Sequence, residues 1–393
     1  MLMHKCHLNR CLKIFLLGYH GKRNFGDDII CITLIKTLRQ LLSTKVSFYV
    51  YTKENYIRQN FSEEENKQIY FVSSIGDILR ALISSHIVIV DGGDHLHDYG
   101  NFIKTFKVFV IFLMLAIFTK ILFKKLLIIN NGFRATRSIS LAFLKIILNL
   151  ACCVSVRDSN SFSLISNYIH KRSQLGFDTA ILLDYSREPI VNLDNKGVSN
   201  ISVGFSITPV FSNFFLKPGK DDNLAEVIAK DLNKVFLNMK NIDLYFLAFN
   251  TDPKVGDLAI IRKIIKMLNA NVLERSKLIA YSGNIIEFIS KFSQLDVAVC
   301  CKYHSIILSY LFEKPMVIID YHPKNAALAR EIGLPSYCII SLDEIFTGKL
   351  SSILLQLLDI PEKFKAKAPI YEAKRRALEG ILKCLIWAIR CSC

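Results

Sequence analysis

The chain has 393 residues, 51% of them apolar, which excludes extensive intrinsic disorder and leaves room for two or three domains at roughly 150 residues each. Fifty Lys and Arg against 34 Asp and Glu give a formal net charge of +16, so the expected company is anionic: a phosphorylated small molecule, an acidic membrane surface or nucleic acid. Eleven cysteines, an odd number at irregular spacing, read as reduced thiols of a cytoplasmic protein and not as a disulfide framework.

The start is basic (Lys5, Arg10, Lys13), but its apolar stretch, 14–17, is too short for a signal peptide. Short apolar runs then alternate with helical spacing. Strands are predicted over 13–18, 46–51, 86–91, 126–130 and 152–157, with helices over 28–42, 102–123 and 138–150. The most apolar run, 108–119, holds twelve uncharged residues between Lys107 and Lys120. As a helix it would span about 18 Å against about 30 Å of hydrocarbon, which favours a buried helix over a membrane span. The pattern lapses into a polar, Pro- and Gly-containing segment over 184–200, the best domain boundary. Strands resume over 201–207, 242–249, 277–281, 297–301 and 316–320, and helices over 224–237, 257–268, 285–292, 305–312 and 324–332. Such alternation argues for βαβ units and parallel sheets. The economical architecture is α/β, two Rossmann-like domains facing a cleft: 1–184, a linker at 185–200, 201–345, and a C-terminal helical segment at 346–393.

Ligands of open α/β sheets bind beyond the carboxyl ends of strands, and four such ends carry unusual chemistry. The first is Gly18-Tyr19-His20-Gly21-Lys22-Arg23-Asn24-Phe25-Gly26-Asp27-Asp28. Its glycines permit close backbone approach and Asn24 or Asp27 can cap a helix, although a plain turn wants the same residues. The second is Asp91-Gly92-Gly93-Asp94-His95-Leu96-His97-Asp98, suited to polar substrate or acid–base work, to a solvated turn, or more remotely to a metal. In the third, Val156-Arg157-Asp158-Ser159, a guanidinium stands beside a capped helix start, an arrangement for a carboxylate or phosphate or simply a surface ion pair. The fourth joins Cys301-Lys302-Tyr303-His304-Ser305 to Tyr321-His322-Pro323-Lys324, both following apolar strands and both opening helices. Lys302, His304 and Lys324 suit a small, multiply charged anion; the plainer reading of His304 is a buried histidine held by a carbonyl.

These segments, in this order, resemble the polysaccharide pyruvyl transferase family. The family's opening glycine loop is similar to Gly18, Tyr19, Gly21, Asn24, Gly26 and Asp27, and its Gly-Gly segment to Gly92, Gly93 and Asp98. Val156-Arg157-Asp158, Asp178, the Arg-x-His-Ser helix start (here Lys302-Tyr303-His304-Ser305) and Tyr-Asp-Pro-Lys (here Tyr321-His322-Pro323-Lys324) complete the set. Lys302 in place of Arg and His322 in place of Asp are departures. The resemblance implies a fold like the GT-B glycosyltransferases. It also implies transfer of pyruvate from phosphoenolpyruvate to sugar hydroxyls as a ketal, in surface polysaccharide biosynthesis. Domain 201–345 would be the donor side, with Arg157, Lys302 and Lys324 binding donor and His304 as general acid. Domain 1–184 would be the acceptor side, with Asp98 as second catalytic group and Asn24, Asp27, Gly92, Gly93, Asp94 and His95 as acceptor-binding residues.

No cofactor is expected beyond phosphoenolpyruvate as co-substrate, and no residue argues for a metal or a covalent nucleophile. The expected acceptor is a glycan or lipid-linked oligosaccharide. Two alternatives come from other classes: a nucleotide-sugar glycosyltransferase of GT-B type, and a non-catalytic sugar- or lipid-binding relative. Nucleic acid is discounted, because the basic residues do not interleave with aromatics in a recognition motif. An anionic membrane surface is a further expected partner of a protein on the cytoplasmic side. From Lys363 to Cys393 there are eight Lys or Arg and two Glu, with Leu378, Ile381, Leu382, Leu385, Ile386 and Ile389 at helical spacing and Trp387 nearby. The alternative for this stripe is packing against the N-terminal domain.

Overall fold

Strands covered on both faces read as continuous apolar runs, and Ile87–Val90 and Ile242–Ala248 are buried at every position. In the computed structural model such runs build two parallel sheets. The structure describes residues 11–42, 45–98, 102–169, 173–185, 193, 200–217 and 219–390. Most of the expected linker at 185–200, the basic residues Lys5 and Arg10, and the side chain of Ile389 lie outside this description.

The first sheet contains β1 (Leu12–Leu17), β2 (Val46–Tyr51), β3 (Ile69–Val72), β4 (Ile87–Val90), β5 (Gly93–His97), β6 (Lys125–Arg134), β7 (Cys153–Val156) and β8 (Ser173–Leu175). Its order is β3-β2-β1-β4-β6-β7-β8, with β5 paired to the outer part of β6. The second contains β9 (Ile201–Ser206), β10 (Ile242–Ala248), β11 (Ser276–Ala280), β12 (Val297–Cys300), β13 (Met316–Asp320) and β14 (Ile339–Ser341), in the order β11-β10-β9-β12-β13-β14. Both are doubly wound. The strand order reverses between β1 and β4 in one and between β9 and β12 in the other, and a ligand crevice opens at such points.

By contacts the chain divides into two compact units. One comprises Met1–Lys22, Asp27–Leu183 and Lys374–Cys393; the other comprises Arg23–Gly26 and Asp184–Ala373. The first hydrophobic core holds Phe15, Val88, Val90, Ile128 and Val154 from its sheet with Phe109, Ala116, Leu144 and Ile147 from covering helices.

Several elements escape the sequence pattern. Residues 93–97, for which no strand was predicted, form β5. A bulge in β6 carries it on to Arg134, and its exposed edge pairs Gly93 with Asn131 and Leu96 with Phe133. The helix Ile75–Ser84 and the strands β3, β8 and β14 are also absent from the pattern: the strands have only three or four residues, and the helix, although Ile75, Ile78, Leu79, Leu82 and Ile83 keep helical spacing, has only ten.

The C-terminal helix, Ile370–Arg390, corrects the membrane expectation for the chain's end. Ala377, Ile381, Cys384 and Leu385 are buried. Its backbone lies against β6 and β7: Asn130 Nδ2 donates to the Ala377 carbonyl at 3.1 Å, and Arg376 Nε to the Gly176 carbonyl at 3.1 Å. A Cβ at Gly380 would collide with Asn130 Oδ1, so only glycine allows this approach. Of the predicted stripe, Ile381 and Leu385 are buried, Leu378 and Leu382 half-buried and Ile386 40% exposed, so the helix docks on the first unit through Ala377, Ile381, Cys384 and Leu385. Deleting residues from Lys374 onward should expose several apolar side chains worth roughly 1.5–3 kcal/mol each. The expected outcome is aggregation or a melting temperature lower by about 10 °C or more in calorimetry. A truncated chain that melts with the full-length protein would show the helix to be dispensable.

Candidate active site

At the switch point of the first unit, the glycine loop after β1 folds back on the end of β4. His20 is buried, its Nδ1 3.0 Å from the Tyr51 carbonyl and its Nε2 2.7 Å from Asp91 Oδ2. Both partners accept, so the ring donates from both nitrogens as imidazolium. Burial opposes that charge, but Asp91 and Cys31 outweigh it and raise the His20 pKa well above its ordinary value. A Cβ at Gly18 would collide with Asp91 Oδ1 and the His20 ring, so the loop needs glycine there. Asp28 fastens the other side, accepting from the Gly21 amide at 2.9 Å and from the Tyr56 hydroxyl at 2.8 Å. His20, Cys31 and Asp91 bring ligand-type atoms within 4.8 Å of one another. The His20–Asp91 contact pins the loop after β1 to the end of β4.

Arg157, at the end of β7, is 2% exposed and lies between two carboxylates, 2.9 Å from Asp94 Oδ1 and 2.7 Å from Asp178 Oδ2. Asp178 also caps the following turn through the Ala180 amide at 3.0 Å. Asp98 accepts from the Thr136 and Arg137 amides at 2.8 and 2.6 Å and from the Thr136 hydroxyl at 3.0 Å. Burial works against the Asp98 charge, but these bonds prevail and hold the carboxyl below its ordinary range. His95 Nε2 is 2.9 Å from the Gly92 carbonyl, and Gly93 has φ +120°, open to glycine.

Asn24 and Gly26 count with the second unit, whereas Asp27 counts with the first. Asn24 bridges to Asn250, and the Phe25 amide donates to the Phe249 carbonyl at 2.8 Å. The Phe25 ring joins Phe249, Tyr281 and Phe288 at centroid distances of 5.4, 5.4 and 4.9 Å. A Cβ at Gly26 would collide with the His304 ring, so this glycine lets backbone lie directly against the imidazole.

His304 stands in the first turn of the helix Tyr303–Leu311, which starts at the end of β12 with Lys302 as its cap residue. Ser206, closing β9, accepts from the Cys301 amide at 2.9 Å and donates to Ser305 Oγ at 2.9 Å; Ser305 in turn donates to the Lys302 carbonyl at 2.6 Å. The serine of the His-Ser pair thus pins the turn that carries the histidine. The helix Pro323–Glu331 begins beside it at the end of β13, its N-terminus capped by His322 Nδ1, which accepts from the Lys324 amide at 3.3 Å. Asn325 Nδ2 reaches the Cys301 carbonyl at 2.9 Å and ties the two helix starts together. Lys324 Nζ lies 5.8 Å from the centroid of the Tyr303 ring. Two helix N-termini, an imidazole and a lysine therefore converge at neighbouring strand ends. Lys302 Nζ lies 3.0 Å from the fully buried Asp257. Cys301, beside it, is no nucleophile at neutral pH, because burial pushes its thiol up to about 12.

The family model for polysaccharide pyruvyl transferase matches residues 24–323, which takes in every one of these segments except the first turns of the glycine loop and the end of the second helix start. The chain belongs to the polysaccharide pyruvyl transferase family. No curated protein matches it. Among solved structures it is similar to S. aureus MnaA, solved with UDP: 12% identity, TM-score 0.62, covering 96% of this chain and 97% of that one. A putative UDP-N-acetylglucosamine 2-epimerase from Listeria monocytogenes shares 14% identity at TM-score 0.61, with 96% of each chain covered. The UDP-GlcNAc 2-epimerase of Neisseria meningitidis, bound to UDP-GlcNAc, shares 12% at TM-score 0.60, covering 95% of this chain and 100% of that one. These likenesses show the fold: two parallel α/β units of the GT-B class, as expected of the pyruvyl transferase resemblance.

Of the residues singled out in the sequence, His304, Lys324 and the backbone around Lys302 come together in the second unit, and Arg157, Asp94 and Asp98 occupy the first. Sequence reading passed over Asp257, His20 and Asn325. Asp257 follows a strand at a distance no motif marks; His20 lies within the glycine loop, where its inward direction is invisible. The Lys302–Asp257 pair generates a test. Burial pushes the Asp257 carboxyl up and Lys302 pulls it back. Lys302→Met removes the ammonium and leaves only the Asn250 amide and Thr208 against burial, so the carboxyl moves higher still. Such a raised acid favours the folded state below its unfolded value and loses that contribution as pH rises through the folded one. The deficit of Lys302→Met should therefore be smallest near about pH 4 and reach roughly 2–4 kcal/mol at neutral pH, with Lys302→Arg close to wild type. Urea unfolding at the two pH values measures it; an equal deficit at both would remove Asp257 from the account.

Proposed function

We propose that this family member transfers pyruvate from phosphoenolpyruvate to hydroxyls of a glycan, as a ketal, with phosphoenolpyruvate a co-substrate and not a resident cofactor. The observation that carries the reading is the convergence of His304 and Lys324 on two helix N-termini tied by Asn325. Backbone amides and a lysine suit the phosphate and carboxylate of this donor. In the proposed reaction His304 gives a proton to the methylene carbon, and a sugar hydroxyl forms a C–O bond at the neighbouring carbon, its proton passing to the phosphate. The C–O bond to phosphate then breaks, hydrogen phosphate leaves with its charge met by Lys324 and the amides, and a second hydroxyl closes the ketal and returns its proton to His304.

Arg157 and Lys302 are assigned to holding the frame, since each is committed to buried carboxylates, and Asp98 to capping the helix Ser138–Leu150. Acceptor contacts are proposed at the ends of β1 and β4, near Asp27, Gly92, Gly93 and His95, with a lipid-linked oligosaccharide as the acceptor class. The second reading is a nucleotide-sugar enzyme, favoured by neighbours solved with UDP and UDP-GlcNAc.

Millimolar phosphoenolpyruvate should raise the melting temperature by a few degrees, and Lys324→Ala should abolish the shift. His304→Gln should keep the shift but lower phosphate release in the presence of acceptor by about 10²–10⁴-fold. A shift with UDP-sugars and none with phosphoenolpyruvate would transfer the assignment to the second reading.

A further inference from the structure

The C-terminal helix leaves Ile386 as its one large apolar residue exposed among those described in the first unit's part of it, and the more extensive exposed apolar surface of that unit lies elsewhere. The helix Phe102–Ile121 presents Ile103, Ile111, Met114, Phe118 and Ile121 outward, at spacings of three, four or eight residues, and these are 44–66% exposed. Its other side packs on the sheet through Phe109 and Ala116. A helix with large apolar residues on both its inner and outer sides is expected to be covered on both, and this one is covered on one. The helix Ile75–Ser84 continues the patch with Ile75, Leu79 and Ile83, one turn apart and 48–79% exposed. Lys124 Nζ donates to the Ile83 carbonyl at 2.7 Å, which joins the C-terminal ends of the two helices into one surface.

Phe123, 92% exposed, sits at that junction with φ +56°. The Lys124 amide donates to the Thr119 carbonyl and the Phe123 amide to the Lys120 carbonyl, the pattern of a helix end whose left-handed residue is usually glycine or asparagine. A phenylalanine there is strained and almost wholly in solvent, so nothing inside the fold explains it.

The charge around the patch selects the occupant. From residue 99 to 157 the sequence has nine Lys or Arg and no Asp or Glu. Lys107, Lys120 and Lys145 are exposed along this face. The acid on the neighbouring helix, Asp77, is paired with Arg80 at 3.5 Å. A second copy laid on this surface would bring cations against cations. No described helix is long and apolar enough to cross a membrane. We propose that this face docks on an anionic lipid surface, with Phe118, Phe123 and the isoleucines entering the headgroup–acyl boundary and the lysines meeting lipid phosphates.

The test is sedimentation of the full chain with vesicles of phosphatidylcholine alone or carrying about one-third phosphatidylglycerol, at about 0.1 M salt. The wild type should pellet with the anionic vesicles and stay in solution with the neutral ones. Phe123→Asn relieves the strained helix end, so its melting temperature should hold or rise. Combined with Phe118→Ser it should cut the bound fraction roughly fivefold or more, and Lys107→Glu with Lys120→Glu should do the same. The proposal falls if the wild type ignores anionic vesicles, or if these folded variants pellet like it. It falls equally if light scattering shows a dimer that the same variants dissociate, which would make the face a self-association surface. None of these readouts uses phosphoenolpyruvate, so they stand or fall apart from the proposed reaction.

Discussion

A charge withdrawn from water at the end of a parallel strand must meet a counter-charge, because the uncompensated ion costs several kcal/mol. Both units obey this constraint where their loops are most crowded. His20 is held by Asp91, Arg157 by Asp94 and Asp178, and Lys302 by Asp257, all with carboxylates at or near full burial. Each pair joins segments far apart in sequence. Each of these cations thereby ties the loop that carries it to a carboxylate of another segment. Lys324 answers differently, with its ammonium over the face of Tyr303 at the start of a neighbouring helix.

That division explains what was legible in the sequence. Parallel α/β architecture was readable because buried strands such as Ile87–Val90 and Met316–Asp320 are unbroken apolar runs set between helices of ordinary length. The strand-end location of His304 and Lys324 followed from the same pattern. Pairing was not readable. Whether Arg157 faces a ligand or two aspartates depends on β5, and β5 exists only because a bulge sends β6 four residues beyond Asn130. Local sequence carries no trace of that register. The C-terminal helix illustrates the same limit: an amphipathic stripe states that one face needs covering, whereas the Gly380 and Asn130 contact that decides what covers it spans the whole chain.

The net charge of +16 acquires a location once burial is known. Arg134 and Arg157, though within the acid-free stretch, are turned inward onto Asp158, Asp94 and Asp178. Their charges are balanced and contribute little to the field outside. The lysines of the helix Phe102–Ile121 and of Ser138–Leu150 have no such acids on their own elements, so the outer face carries the surplus. A transferase whose acceptor is anchored in lipid would gain from that asymmetry, since binding in two dimensions raises the encounter rate with acceptor without any new contact at the site.

The two departures from the family pattern have physical content in this light. An aspartate before Pro323 would cap the helix by accepting an amide, and His322 Nδ1 does the same for the Lys324 amide. The exchange keeps the cap and removes a formal negative charge beside Lys324, leaving that helix start more electropositive. Lysine in place of arginine at residue 302 gives up a planar fork, but the partner, Asp257, already receives the Asn250 amide at 2.8 Å on its other oxygen, so a single ammonium suffices for the remaining one. In this chain His322 and Lys302 stand at the two helix starts, one capping the Lys324 amide and the other paired with Asp257. The backbone amides of those starts, and not the departing side chains, are what an anion at this place would meet first.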